Sequence, residues 1–172
     1  MLESAAVANI ANPILFGLCN IIPQAVARAS EHGLTHAWRV AVQYGALGIL
    51  PITLYYVVVV TSPDLVLRIL YGDQSAYIAI ERGVQIVATA FLFSYICEII
   101  CAYLHGSNAA RIALNINLLG NAAMAIAAVP LLLSAGWMGG CLAFTGGHGF
   151  RLGLALYSLR RGLAPNPNVR VA

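Results

Sequence analysis

VAVQYGALGILPITLYYVVVV, residues 40–60, is a run of 21 residues without a charged side chain. At about 1.5 Å per helical residue, it is long enough to cross a hydrocarbon core about 30 Å thick. Its closing valines do not alternate with polar residues, so the pattern disfavours a strand of a transmembrane β-barrel. A helix satisfies its own backbone hydrogen bonds in lipid, and this stretch therefore predicts a membrane-spanning helix.

Four further windows have the same apolar character, at residues 4–27, 80–104, 112–134 and 137–159. Hydrophobic residues make up 60% of the chain and charged residues only 9%, against about 25% in a soluble domain. A water-facing surface cannot be assembled from so few charges. The predicted fold class is therefore an all-α integral membrane bundle of about five transmembrane helices over residues 1–161, followed by a cytoplasmic tail at residues 162–172.

The segment after the second span predicts a short helix lying at the membrane surface. Ser62 is a typical N-cap residue, Pro63 suits the first helical turn, and Asp64 complements the positive end of the helix dipole. Gly72 then marks the end of the helix.

The arginines are distributed unequally between the two sides that five spans would create. One side receives Arg28, Arg39, Arg111, Arg160, Arg161 and Arg170, and the other receives Arg68 and Arg82. Basic residues near span ends are retained on the cytoplasmic side. The sequence therefore predicts a multi-pass protein with its N-terminus outside and its C-terminus in the cytoplasm.

Signatures of enzyme chemistry do not stand out in the sequence. It contains no paired carboxylates within the spans, no His-Glu metal motif and no serine elbow. Cys97, Cys101 and His105 share a helical face, but His105 lies at the water boundary, which favours ordinary packing over metal binding. We predict no enzymatic activity, no catalytic residue, no metal site, no cofactor and no nucleic-acid partner.

Polar residues from four spans fall in one layer of the inner half of the predicted bundle. Counted from the cytoplasmic ends, they lie about 6 to 15 Å deep. They are Asn20, Gln24, Glu98, Asn117, Asn121 and Arg151. Ionisable residues at such depth usually face a bundle interior or a wet cavity.

Two interpretations of this layer remain open. In the first, it forms a cytoplasm-facing cavity for a hydrophilic headgroup, with Arg151 as the fork that binds phosphate. In the second, Arg151 snorkels to the inner headgroups, Glu98 pairs with it or is neutral, and the asparagines join helices. His148 either carries a proton or packs between helices, and the second role is the more common one.

Four stretches of the chain resemble one family of transporters. They are ANIANPI (8–14), IPQAVAR (22–28), SPDLVLRILYGD (62–73) and GWMGGCLA (136–143). Their order and spacing are similar to the C-terminal part of the polysaccharide and lipid-linked oligosaccharide flippases, in the multidrug/oligosaccharidyl-lipid/polysaccharide exporter superfamily. The resemblance covers residues 5–161, about five helices of a family that typically has twelve or more.

This resemblance implies the C-terminal lobe of a flippase in a bacterial inner membrane, which exports a polyprenyl-phosphate-linked sugar for polysaccharide or lipopolysaccharide O-antigen biosynthesis. Because such carriers rock two lobes around a cavity, it also implies an N-terminal lobe or a second copy as partner. The alternatives are a fragment of a multidrug-type antiporter and a non-transporting membrane scaffold or partner subunit. The expected substrate-binding residues are Arg151, Glu98, Asn117, Asn121, Asn20, Gln24 and His148.

Overall fold

A computed structural model describes residues 12–72 and 80–163 of the chain. The beginning of the first predicted span, before residue 12, and the tail from residue 164 lie outside this part. The described residues form five helices, which are α1 (Asn12–Ser30), α2 (Leu34–Thr61), α3 (Pro63–Tyr71), α4 (Glu81–Gly106) and α5 (Ala110–Leu163). No strand occurs in either described range, in agreement with the predicted all-α class.

Three of the described helices are long and apolar enough to cross a membrane. They are α2 with 28 residues, α4 with 26 residues, and the Ala110–Arg161 part of α5 with 52 residues. Large apolar side chains face outward on α2 and α5, since Leu50 is 76% exposed, Leu47 is 72% exposed and Leu133 is 85% exposed. Large exposed apolar surfaces of this kind mark sites of contact with a membrane or with another protein.

Helix α5 is interrupted at Gly136, where the backbone leaves helical geometry with φ 57° and ψ −141°. A Cβ atom built on Gly139 would lie 1.8 Å from the carbonyl oxygen of Leu131, and one built on Gly147 would lie 2.6 Å from the Cβ of Met124. Gly139 thus lies beside Leu131, and Gly147 lies beside Met124. Residues farther after Gly136 therefore meet residues farther before it. The two arms of α5, residues 110–135 and 137–163, therefore run antiparallel to each other.

The short helix α3 has the predicted position but not the predicted cap. The Ser62 side chain makes no capping hydrogen bond, and its backbone N–H instead donates to the Val58 carbonyl 2.9 Å away, closing α2. Asp64 forms an ion pair with Arg68 one turn later, at 3.0 Å. Gly72 ends the helix with a φ of 81°, a backbone conformation that glycine adopts without strain.

Helix α4 lies at the centre of the described bundle and packs against α1, α2 and α5. The Tyr95 hydroxyl donates a hydrogen bond to the Gly45 carbonyl of α2, and the Thr145 hydroxyl of α5 donates to the Ile86 carbonyl at 2.9 Å. Close approach to α1 requires Gly106, because a Cβ there would lie 2.5 Å from the Pro23 carbonyl oxygen. Helix α4 therefore contacts all three of the other long helices of the described bundle.

Candidate functional site

Arg151, in the second arm of α5, is a charged side chain in the interior of the bundle and is only 8% exposed. Its Nη2 donates a hydrogen bond to Oε1 of Glu98 at 2.7 Å and another to Oδ1 of Asn117. Its Nη1 lies 3.5 Å from Nδ1 of His148, one turn earlier on the same helix. One guanidinium thus connects α4 with both arms of α5.

Gly120 makes this position of Arg151 sterically possible. A Cβ at Gly120 would lie 1.8 Å from Cγ and 2.7 Å from Cδ of Arg151, so the arginine stem occupies the space that a side chain would fill. Sequence reasoning did not identify Gly120 as a site residue. The available signal was its position three residues after Asn117, which places both on one face of a helix.

The ion pair is asymmetric, because the Arg151 side chain is 10% exposed and the Glu98 side chain is 30% exposed. Glu98 lines a cavity of about 340 Å³ between α1 and α4, together with Cys19, Pro23, Cys101, Ala102 and His105. We call this space the polar cavity. The carboxylate therefore stands between the buried guanidinium and an open volume.

Arg151 also has hydrogen-bonding capacity that its neighbours do not use. Its Nε is buried and has no hydrogen-bond partner within residues 12–72 and 80–163. A guanidinium offers five N–H donors, and a buried donor left unpaired costs on the order of 1–3 kcal/mol. One N–H donor of Arg151 is therefore unpaired in the interior of the bundle.

His148 is half-buried and packs against an aromatic neighbour as well as facing Arg151. Its ring lies 4.6 Å from the Phe144 ring, centroid to centroid, at an edge-on angle of 68°. Phe144 lies one turn earlier on the same helix, so this contact is made within the second arm of α5, and both roles considered for His148 stay predictions.

The structure brings together four of the seven site residues expected from sequence: Arg151, Glu98, Asn117 and His148. The remaining three, Asn20, Gln24 and Asn121, are exposed. On α1, the residues that line the polar cavity are Cys19 and Pro23, each one position before an expected residue. One position corresponds to a rotation of about 100° around a helix, so Asn20 and Gln24 lie beside the cavity wall.

Snorkelling of Arg151 does not describe the observed geometry, because its guanidinium points to Glu98 within the bundle. Cys97 and Cys101 are buried in the apolar core with Ile100 and Tyr103. No group of three or more His, Cys, Asp or Glu side chains suited to a metal ion occurs in the described part of the chain. The arrangement is thus a buried cation whose carboxylate partner lines a cavity.

Comparison with known proteins adds no family to this description. No family model, no curated protein and no solved structure matches the chain.

Proposed function

We propose that this chain is a membrane transport protein of the lipid-linked oligosaccharide flippase class, with five membrane-spanning segments. The length and apolar composition of α2 and α4 support this proposal. Each arm of α5 has about 26 residues, or roughly 39 Å of helix, which suffices for a separate span. Helix α1 would be the remaining span, and α3 would lie at the outer surface.

The proposed orientation places Arg28, Arg39, Arg111 and Arg160 in the cytoplasm of a bacterial cell, at its inner membrane. These residues lie at the end of α1, the beginning of α2, the beginning of α5 and the end of α5. Alternation of helix direction brings these four ends to one side of the bundle. An excess of arginine at that side is typical of cytoplasmic loops.

The observation that carries the proposed function is the Arg151–Glu98 pair beside the polar cavity. The guanidinium stays charged at every physiological pH, so an anion that enters the cavity competes with the Glu98 carboxylate for it. The phosphate of a polyprenyl-linked sugar is such an anion, and it can accept two parallel hydrogen bonds from the fork. The sugar would occupy the cavity while the polyprenyl tail remained in lipid.

Three exposed polar side chains support a mechanism in which a second surface faces this bundle. Asn20, Gln24 and Asn121 are exposed on helices whose other outward residues are largely apolar. Polar amides facing lipid are unfavourable, whereas amides facing a second lobe, a second copy or a water-filled pathway are satisfied. Two lobes around one pathway is the arrangement that alternating access requires.

A binding measurement on the purified full chain in lipid nanodiscs tests the proposed role of Arg151. We expect undecaprenyl phosphate to bind, and we expect Arg151→Gln to weaken that binding at least tenfold. Arg111→Gln, which removes an exposed arginine of the same proposed side, is the matched control and should change the affinity by less than twofold. Equal losses in both variants would contradict a specific phosphate site.

A cellular experiment tests transport itself. Expressed alone in a flippase-deficient bacterial host, the chain should insert in the membrane without restoring surface polysaccharide, because the pathway would have one lobe. Co-expression with an N-terminal lobe of a related flippase should restore it. Restoration by the chain alone would show that a second copy supplies the other wall. Failure to restore surface polysaccharide in both experiments would count against the flippase proposal.

A multidrug-type cation antiporter is the second candidate, and the exposure of Glu98 to the polar cavity favours it. A carboxylate facing a cavity attracts organic cations as well as protons. The variant Glu98→Gln separates the two functions, because the carboxylate that it removes would compete with phosphate for Arg151 in a flippase but would bind the cation in an antiporter. The flippase proposal predicts tighter undecaprenyl phosphate binding in this variant, and the antiporter proposal predicts loss of tetraphenylphosphonium binding.

A further inference from the structure

A second cavity, of about 350 Å³, lies between α2, α4 and the second arm of α5. Its lining includes Val42, Ala46, Ile49, Ile96, Ile99 and Leu156, and we call it the apolar groove. Several of its side chains face outward, since Val42 is 45% exposed and Leu156 is 43% exposed. The groove is therefore open to whatever surrounds the bundle.

The apolar groove and the polar cavity lie on different sides of α4. The groove uses Ile96 and Ile99, whereas the cavity uses Glu98, Cys101 and Ala102. At 100° per residue, the centres of the two lining sets are about 140° apart around the helix. A lipid in the groove would therefore be a different molecule from one whose phosphate reaches Arg151.

The length of the groove matches one leaflet of a bilayer. Its α2 lining extends from Trp38 to Ile49, which is about 16 Å of helix. Half of a hydrocarbon core of about 30 Å is about 15 Å. An acyl chain that enters at the Trp38 end would thus reach the bilayer midplane at Ile49.

Two arginines flank the groove at this same end, each one position after a lining residue, Trp38 on α2 and Leu159 on α5. Arg39 precedes Val42 by three residues on α2, and Arg160 follows Leu156 by four residues on α5. Residues at these spacings share a helix face. Both arginines are exposed, and neither forms an ion pair within the described ranges, whereas Arg161 lies over the ring of Tyr157 at 4.8 Å.

We propose that the apolar groove, with Arg39 and Arg160 at its mouth, binds an anionic phospholipid of the inner leaflet. One acyl chain lies along Val42, Ala46 and Ile49, and the two guanidinium groups bind the phosphate. This proposal rests on the membrane orientation in the proposed function but not on the role of Arg151. Basic residues at the inner end of a cleft between helices are a recurrent site for anionic lipid headgroups.

Lipid binding to the full chain, purified in a neutral detergent, tests the proposal with phosphatidylglycerol and phosphatidylethanolamine as probes. We expect phosphatidylglycerol to bind more tightly, and the double variant Arg39→Gln/Arg160→Gln to weaken it by about 30-fold. The control Arg28→Gln/Arg111→Gln removes the same charge from the same proposed side but away from the groove. It should weaken binding less than threefold, and an equal loss would overturn the proposal by showing diffuse attraction.

A second pair of variants tests the apolar part of the groove. Ala46→Phe fills the groove and should weaken binding of both phospholipids at least fivefold, whereas Leu47→Phe enlarges an outward side chain outside it and should not. A change of oligomeric state in Ala46→Phe, with unchanged lipid binding, would mean that a second copy covers the groove. Displacement of phosphatidylglycerol by equimolar undecaprenyl phosphate would assign the groove to the polyprenyl lipid. Either result would overturn the proposed occupant.

The variant Arg151→Gln separates this proposal from the proposed function. It should leave phosphatidylglycerol affinity unchanged, because Arg151 is on the other side of α4 from the groove. Loss of phosphatidylglycerol binding in Arg151→Gln would show that there is one lipid site and not two. Loss of undecaprenyl phosphate binding alone would leave the groove proposal standing.

Discussion

Arg151 of α5 reaches Glu98 of α4 with an Nη2 to Oε1 distance of 2.7 Å, and the two side chains are 10% and 30% exposed. The buried partner is the arginine, which cannot lose its charge under physiological conditions. The more exposed partner is the glutamate, which can be solvated from the polar cavity. An unpaired Glu98 is therefore less costly than an unpaired Arg151.

This asymmetry predicts different effects of the two single substitutions on stability. Glu98→Gln leaves a buried, permanently charged guanidinium, and we expect the larger loss, about 3 kcal/mol, in keeping with broken buried ion pairs. Arg151→Gln leaves a partly solvated carboxylate and should cost less, about 1–2 kcal/mol. The thermal midpoint in detergent measures both.

The double variant Arg151→Gln/Glu98→Gln provides the control for that comparison. It removes both charges and should recover much of the folded yield lost in either single variant. Losses that simply add in the double variant would show that the two side chains are not coupled.

Gly120→Ala should displace Arg151 from its position. The added methyl would lie 1.8 Å from Cγ of Arg151, so either the arginine or the first arm of α5 must move. We expect a loss of about 2 kcal/mol in stability together with weaker undecaprenyl phosphate binding. In an Arg151→Ala background the same change should be nearly neutral, because the clashing stem is gone.

Gly153→Ala is the matched control for Gly120→Ala. Nothing lies within 4 Å of a Cβ at Gly153, and alanine is favoured over glycine inside a helix. It should therefore leave stability unchanged or raise it slightly. An equal loss at both glycines would indicate a general effect of the helix and not a contact with Arg151.

Gly139→Ala should disturb the reversal of α5. A Cβ there would lie 1.8 Å from the Leu131 carbonyl oxygen, which is backbone and cannot rotate away. We expect a drop in folded yield and increased protease cleavage near the reversal. Gly146→Ala, where nothing lies within 4 Å of the added carbon, is the control in the same arm and should behave like the unmodified chain.

Cysteine accessibility in intact cells tests the proposed orientation. After replacement of the native cysteines, single cysteines at Glu31 and Pro167 should be protected from an impermeant thiol reagent, and one at Gln74 should react. Glu31 is exposed between α1 and α2, whereas Gln74 and Pro167 lie outside the described residues. Labelling at Glu31 from outside would reverse the orientation and remove the cytoplasmic placement of the apolar groove mouth.

The common level of Glu98, Asn117 and Arg151 along their helices is predictable from sequence, because counting residues from a span end gives a position along a helix axis. Glu98, Asn117 and Arg151 were expected about 9 to 13 Å deep, and the structure joins them in one network. Asn20, Gln24 and Asn121 were expected at similar depth, yet they are exposed. Depth does not specify the direction in which a side chain points around its helix.

By itself, the sequence determined that the described chain is helical and that it has long apolar segments, because composition and run length decide these properties locally. Only the tertiary structure decided which faces meet. Arg151 meets Asn117 and not Asn121, which lies one helical turn farther along the first arm of α5, and the absence of a side chain at Gly120 leaves space for Arg151. The reversal at Gly136 then set the two arms of α5 side by side. These outcomes depend on packing between segments distant in the chain, which no local pattern encodes.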